Sequence, residues 1–338
     1  MLKPDTRKTA AGGVSPVERL HALVADAMAA TDRMIHARMG SGVALIPELS
    51  KHLIDSGGKR LRPMLTLAAA QLGGYTGDKQ INLAAAVEFI HTATLLHDDV
   101  VDASTLRRGK VAANLVWGNK ATVLVGDFLF SRAFEMMVDT GSLRVLDILS
   151  HASAVIAEGE VMQLKSESNL GTTEEHYLKV VGAKTAALFA AAAESGATLC
   201  NKGPEFVEAM RAYGESLGIA FQLVDDALDY SGRQALMGKA VGDDFREAKV
   251  TLPVILAYAR ADKPAQQFWK RVIEGGPQSE PDLERAISYV ESTGAIQETM
   301  TRARHYADVA VAALQSLAPS EIKAALADIA DFCVERAF

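Results

Sequence analysis

The stretch Ile81–Asp102, INLAAAVEFIHTATLLHDDVVD, decides how the rest of the chain is read. From Ile81 to Leu96 it is apolar on nearly every face of a 3.6-residue period, the pattern of a helix buried inside a bundle. It ends in His97-Asp98-Asp99-Val100-Val101-Asp102. Asp98 and Asp102 lie four residues apart, so they share a helix face and repel. They also sit at the C-terminal end, where the macrodipole disfavours anions. Aspartate is moreover a poor residue inside a helix.

The pattern recurs. Gly218–Val224 is apolar and leads into Asp225-Asp226-Ala227-Leu228-Asp229, just before Ser231-Gly232. One such DDxxD is ordinarily a solvated acidic helix end. Two of them, each closing an apolar helix, point to a divalent cation that offsets the repulsion. Carboxylates unaccompanied by Cys suit a hard ion, and magnesium shared with substrate phosphates is the reading they favour.

Outward from these stretches the helical period continues from Pro16 to the C-terminus, interrupted by breakers such as Gly40–Gly42, Gly73–Gly77, Gly203-Pro204, Gly238–Gly242 and Gly275–Pro277. Ala121–Val138 and Thr185–Ala193 are again apolar nearly all round. No run shows the alternation of a strand. The expected architecture is therefore all-α, a single domain over residues 16–338 built as a bundle of about a dozen helices, after a flexible N-terminal tail over residues 1–15.

Composition narrows the function. Of 338 residues, 49% are hydrophobic and only 6% aromatic, which favours a large helical core. The net charge of -7 and the lack of a basic run argue against nucleic acid. Cys200 and Cys333 stand in no CxxC or Cys/His cluster and read as reduced thiols. No signal peptide and no membrane span is legible, so a cytoplasmic location is expected. GxxxxGK[ST], GxGxxG, GxSxG and HExxH are all absent, which removes support for P-loop, Rossmann, serine-hydrolase and zinc-protease chemistry.

In this acidic chain a few cations flank glycines and the acidic clusters. Gly57-Gly58-Lys59-Arg60-Leu61-Arg62-Pro63 opens an early helix, Arg107-Arg108 follows the first cluster, and Lys184-Thr185 and Lys239 come later. Singly each reads as a surface charge. Together they offer forks and point charges for phosphate oxygens.

At these residues the sequence resembles the trans-isoprenyl (polyprenyl) diphosphate synthases. The resemblance runs from about residue 15 to the C-terminus. It is carried by both DDxxD motifs, by GGKRLRP, by the RRG after the first motif, and by Gly238–Pro253, GKAVGDDFREAKVTLP. The segment His91–Asp102 looks like the long-chain, octaprenyl to decaprenyl branch, which makes quinone side chains. The resemblance implies an isoprenoid-synthase-type bundle around a central apolar cavity. It implies that Asp98, Asp99, Asp102, Asp225, Asp226 and Asp229 hold magnesium, about three ions per active site. Arg107, Lys184, Thr185, Gln222 and Lys239 would contact the allylic diphosphate, and Lys59, Arg62, His91 and Arg108 isopentenyl diphosphate. Of these, Asp98, Asp99, Asp102, Arg107, Lys184, Asp225, Asp226 and Lys239 would carry the chemistry. His91 sits in an apolar helix, where a lone histidine is ordinarily a satisfied core residue; only the resemblance makes it a ligand. His97 reads as structural. Ala248 stands where the family more often has glycine, which leaves Lys249 a secondary candidate.

The implied reaction needs no nucleophilic side chain. Cations stabilise the departing diphosphate, the allylic carbon becomes electrophilic, and isopentenyl diphosphate attacks it. An apolar cavity keeps water out. Thr94, Ile90 and Val87 lie one, two and three turns before Asp98 on its face, with Ala93 beside them, and these four are the expected wall of the product cavity. Asp98 to Val87 spans about 16 Å. Ala93 and Thr94 are small, which predicts a long product; Phe128, Phe134, Met136 and Met137 are candidates for its floor. The expected partners are the two diphosphate substrates, with transient membrane contact for product release, and the resemblance implies a homodimer, sometimes with a second type of subunit. A shorter-chain (geranylgeranyl or farnesyl) synthase and a non-catalytic subunit of a heteromeric synthase are the alternatives. A terpene cyclase has no need of GGKRLRP, and a metal-buffering scaffold would bind magnesium without diphosphate.

Overall fold

Helices account for nearly all regular structure in the computed structural model, which describes residues 14–54, 57–231 and 242–335. In chain order the first helices are α1 (Pro16–Leu23), α2 (Ala25–Arg38), α3 (Leu45–Ile54), α4 (Leu61–Leu72) and α5 (Lys79–Val101). They are followed by α6 (Ala113–Trp117), α7 (Asn119–Asp139), α8 (Leu143–Ser166), α9 (Glu174–Val181), α10 (Ala187–Thr198) and α11 (Pro204–Asp229). After residue 242 come α12 (Asp243–Arg246), α13 (Leu252–Ala259), α14 (Lys263–Glu274), α15 (Glu280–Ser292), α16 (Ala295–Ala313) and α17 (Glu321–Glu335). The all-α expectation holds, with one small addition. Leu106–Arg107 pairs antiparallel with Lys110–Val111. Arg108 and Gly109 both take positive φ, the two-residue turn that matches strand twist.

The chain divides into two compact units whose boundaries fall inside helices. The first comprises Met1–Ser153, Leu188–Gly214 and Ala313–Ile329. Its centre is α5. Ala84, Ala85, Ala86, Val87, Phe89, Ile90, Ala93 and Leu96 are all fully buried, as the apolar run from Ile81 demands. Helices α7, α4 and α2 pack against it. Small residues set the close approaches. A Cβ on Gly196 would lie 2.2 Å from the Thr66 carbonyl oxygen, so α10 meets the α4 backbone directly only through glycine. Tyr213 donates its phenol to the Leu326 carbonyl at 2.8 Å, which satisfies a fully buried hydroxyl.

The second unit comprises Ala154–Ala187, Glu215–Ala312 and Ala330–Phe338. Its core is aromatic at one end: Trp269 is fully buried, 5.4 Å from Phe268 in an edge-on pair, and Tyr289 lies 5.3 Å from Phe268. Phe245, Tyr230, Leu223 and Val224 are also buried in this unit. Between α9 and α10 the helix opens into a π turn, Gly182–Ala186. Such turns insert a residue and rotate the helix beyond them. Cys200, in the first unit, and Cys333, in the second, are both buried and unbridged. Among the described residues no helix is long and apolar enough to cross a membrane.

Candidate active site

In the first unit the C-terminal end of α5 carries the first acidic motif, and its three aspartates are not equivalent. Asp99 is fully buried. Its Oδ1 accepts from both Nε and Nη2 of Arg107 at 2.7 Å, a fork that the hairpin delivers. The Asn114 amide and the Ser104 N–H close on the Asp99 carbonyl. Asp99 Oδ2 is buried without a hydrogen-bond partner. Burial pushes the Asp99 carboxyl above its ordinary range, Arg107 opposes this, and Asp98 and Asp102 add repulsion. Asp98 and Asp102 are only partly buried and share the face that α5 presents beyond Asp99. His97 packs into the space left by Gly126, where a Cβ would lie 2.3 Å from its Nε2, which agrees with a structural role.

The residues expected to hold isopentenyl diphosphate, Lys59, Arg62, His91 and Arg108, lie in the same unit. Arg62 Nη1 lies 3.2 Å from His91 Nε2. Arginine only donates, so His91 accepts there and carries its proton on Nδ1. Burial first, then the charges of Arg62, Arg108, Arg60 and Arg107, hold the imidazole well below its usual pKa, so His91 is neutral near pH 7. The Arg62 guanidinium also lies 4.3 Å from the centre of the Phe189 ring. Arg108 donates to the Gly57 carbonyl, and its guanidinium fills the space where a Gly58 Cβ would stand. Lys59 is exposed beside it. Val87, Ile90 and Ala93 are fully buried on α5, and Thr94, partly buried, returns its hydroxyl to the His91 carbonyl at 2.8 Å. Of the proposed floor residues, Met136 and Met137 are buried; Phe134 is 40% exposed and Phe128 lies against Arg132.

The second unit holds the other motif. Asp225 is partly buried, whereas Asp226 and Asp229 are buried. Both oxygens of Asp226 are engaged: Gln222 Nε2 donates to Oδ1 at 2.7 Å and the Tyr177 hydroxyl donates to Oδ2. Gln222 Oε1 in turn accepts from the Thr185 hydroxyl at 2.9 Å, which joins the π turn to the acidic motif. The neighbouring Lys184 pairs with Glu160 at 2.7 Å. Asp229 accepts the backbone N–H groups of Asp243 and Asp244 and so caps α12. Burial is the main cause that raises Asp226 to about 7 and Asp229 to about 6. Neutral donors, with no fork like that of Arg107, offset only part of it. A cavity of about 120 Å³ lies beside this network, lined by Tyr177, Lys184, Thr185, Gln222, Asp226 and Lys249 among others. Lys239 lies outside the described residues. Lys249 pairs with Glu247 at 2.5 Å.

The donor set fits a hard divalent cation. The acids offer oxygen only, burial and neighbouring carboxylates raise the proton affinity of Asp99, Asp226 and Asp229, and one buried carboxylate oxygen, Asp99 Oδ2, is unpartnered. Among the described residues no three His, Cys, Asp or Glu side chains converge into a complete cage. Sequence reasoning alone did not find Tyr177, Glu160 or Asn114; each is recognisable only from the partner it meets in space.

Residues 43–290 match the model of the polyprenyl synthetase family. The chain is 44% identical over 320 residues to the octaprenyl diphosphate synthase of Escherichia coli K12, covering 95% of this chain and 99% of the relative. Two solved structures share the fold. A polyprenyl synthase from Caulobacter crescentus CB15, complexed with calcium and isoprenyl diphosphate, has a TM-score of 0.93 and 53% identity, covering 95% of this chain and 98% of that one. A decaprenyl diphosphate synthase from Rhodobacter capsulatus has a TM-score of 0.92 and 54% identity, covering 96% and 100%.

Proposed function

Because the chain belongs to the polyprenyl synthetase family, we infer that it is a long-chain polyprenyl diphosphate synthase, a prenyltransferase that adds isopentenyl units to an allylic diphosphate. The observation that carries this reading is the placement of His91 and Asp98 on one helix. They are seven residues apart on α5, hence on one face and about 10 Å apart along the axis. The cations around His91 suit one diphosphate, and the acids around Asp98 suit a metal-bound second one.

The proposed roles follow from charge and exposure. Asp98, Asp102 and Asp225 would hold magnesium, with Asp99, Asp226 and Asp229 behind them. Bound magnesium would supply positive charge to the leaving diphosphate. Arg107, Lys184, Thr185, Gln222 and Lys239 would add charge and hydrogen bonds to the same group. Lys59, Arg62, His91 and Arg108 would hold isopentenyl diphosphate with its double bond toward the allylic carbon. The allylic C–O bond breaks with its electron pair leaving on diphosphate. The terminal CH₂ of isopentenyl diphosphate forms the new C–C bond. A proton then leaves the adduct for the departing diphosphate and regenerates an allylic double bond.

Val87, Ile90, Ala93 and Thr94 would line the growing chain, and octaprenyl to decaprenyl products fit small side chains at 93 and 94. We propose that residues 16–338 act as one catalytic domain, in a cytoplasmic homodimer, and that the product serves as a quinone side chain. The test is to incubate the purified protein with farnesyl diphosphate, labelled isopentenyl diphosphate and magnesium, and to size the dephosphorylated products. Products of 40 to 50 carbons, the octaprenyl to decaprenyl range, are expected. No extension, or only cyclised hydrocarbon, overturns the reading.

A further inference from the structure

Arg60 is the cation of the Lys59–Arg62 run to which no role in binding is assigned above, and it is held at both backbone and side chain. It precedes α4 with φ 50° and ψ 33°, a left-handed conformation that a non-glycine residue adopts at a cost. Its guanidinium pairs with Glu88 and donates to the Ile54 carbonyl at 3.3 Å. Glu88 is 3% exposed and lies on α5, one turn before His91. A buried ion pair is a poor source of net stability, since desolvation consumes most of the attraction. A strained backbone held by such a pair calls for another reason.

The surroundings supply one. On one side of Arg60 is Lys59; on the other, two residues on, is Arg62, which meets His91 and Phe189. The same loop is tied at its start by Arg108 on the Gly57 carbonyl. Arg60, Arg62 and Arg108 thus surround a neutral imidazole, and Glu88 is a buried anion that acts on Arg60 and Arg108. We propose that the Arg60–Glu88 pair is a positioning device. It fixes the left-handed turn into α4 at a set distance from α5, so that Lys59 and Arg62 face the His91 side of that helix. It confines the anion to a place where it neutralises Arg60.

The proposal rests on the isopentenyl diphosphate site inferred above, and its test separates the two. Steady-state KM is measured for isopentenyl diphosphate and for farnesyl diphosphate, together with melting temperature, in wild type and in Glu88→Gln, Arg60→Gly and the double variant. Glycine accepts the left-handed turn without strain, and the double variant leaves no buried charge unpaired. Glu88→Gln and Arg60→Gly are expected to raise the isopentenyl KM about tenfold and to leave the farnesyl KM within about twofold. In the double variant the melting temperature recovers while the isopentenyl KM stays raised. An isopentenyl KM that recovers together with the melting temperature overturns the positioning role. So does an unchanged isopentenyl KM in the single variants. A wild-type protein that extends no allylic primer would instead overturn the underlying site.

Discussion

Asp229 Oδ2 accepts the Asp244 backbone N–H at 3.0 Å, and Oδ1 takes that of Asp243 at 3.3 Å. The last acid of the second motif therefore does the work of a helix cap for α12. Asp225, four residues earlier, is the partly exposed acid of the motif. The two should separate in experiment. Asp229→Ala should lower stability by about 1 kcal/mol, the usual worth of such a cap, and Asp229→Asn by less, because an amide oxygen still accepts. Asp225→Ala should leave the melting temperature near wild type and lower kcat at least a hundredfold. Thermal melts beside turnover assays decide it; equal thermal losses in Asp225→Ala and Asp229→Ala would contradict the division of roles.

The raised carboxyl groups make the metal-free protein sensitive to pH in an unusual direction. Asp226 titrates at about 7 and Asp229 at about 6 when folded, both raised chiefly by burial, against an ordinary value of 3.8. Between those limits the folded state holds protons that the unfolded state has released. Its stability from these groups is full at low pH and is lost as pH rises through 6 and 7. In chelator, the melting temperature should rise from pH 8 to pH 6. Magnesium bound at the proposed site would displace those protons and should therefore stabilise most at the alkaline end. Asp226→Asn should flatten the metal-free slope; an unchanged slope would show that another group sets it.

The π turn has a tight neighbour in Gly159. A Cβ there would lie 2.8 Å from the Lys184 backbone nitrogen and 2.9 Å from Ala183 Cβ, so the turn has to move if Gly159 becomes alanine. The turn carries Lys184, which pairs with Glu160, and Thr185, which bonds Gln222. Gly159→Ala should therefore cut kcat/KM for the allylic substrate about tenfold, because sub-ångström displacement of the proposed phosphate ligands Lys184 and Thr185 is costly. The KM for isopentenyl diphosphate should hold. An equal rise in both KM values would point to general loosening rather than displacement of Lys184 and Thr185.

Much of this was legible before any coordinates. Apolar periodicity from Ile81 exposes α5 as a core helix, and the repulsion of Asp98 and Asp102 marks its end as unusual. What stayed hidden depends on distant partners or on conformations that share one composition. Asp99 looks like its neighbours until Arg107 folds back on it, and the cap that Asp229 makes shows only when residues 243 and 244 arrive. Strands of two residues show no alternation, so the hairpin that delivers Arg107 left no trace. A π turn uses the same residues as an α-helix. Ala248, where glycine is commoner in the family, has φ 51°, which gives the preference its reason: an L residue is strained there. Arg60 takes the same conformation, and nothing local in GGKRLRP announces it.

The proposed wall of the product cavity offers the most direct test of how chain length is set. Val87, Ile90 and Ala93 are fully buried on α5, and Thr94 is partly buried two turns before Val101. Phenylalanine at 93 or 94 would place a ring one turn below Asp98, near where a growing chain must begin its descent. Ala93→Phe also overpacks a filled site, at about 1–3 kcal/mol, so a loss of product there could reflect poor folding. Thr94→Phe has more room and sacrifices only the hydroxyl bond to the His91 carbonyl. Both variants should shorten the product by several isopentenyl units while the first condensation persists, read by sizing dephosphorylated products at matched turnover. Folded Thr94→Phe protein that still makes wild-type lengths would remove this face of α5 from the cavity wall and leave product length to other helices.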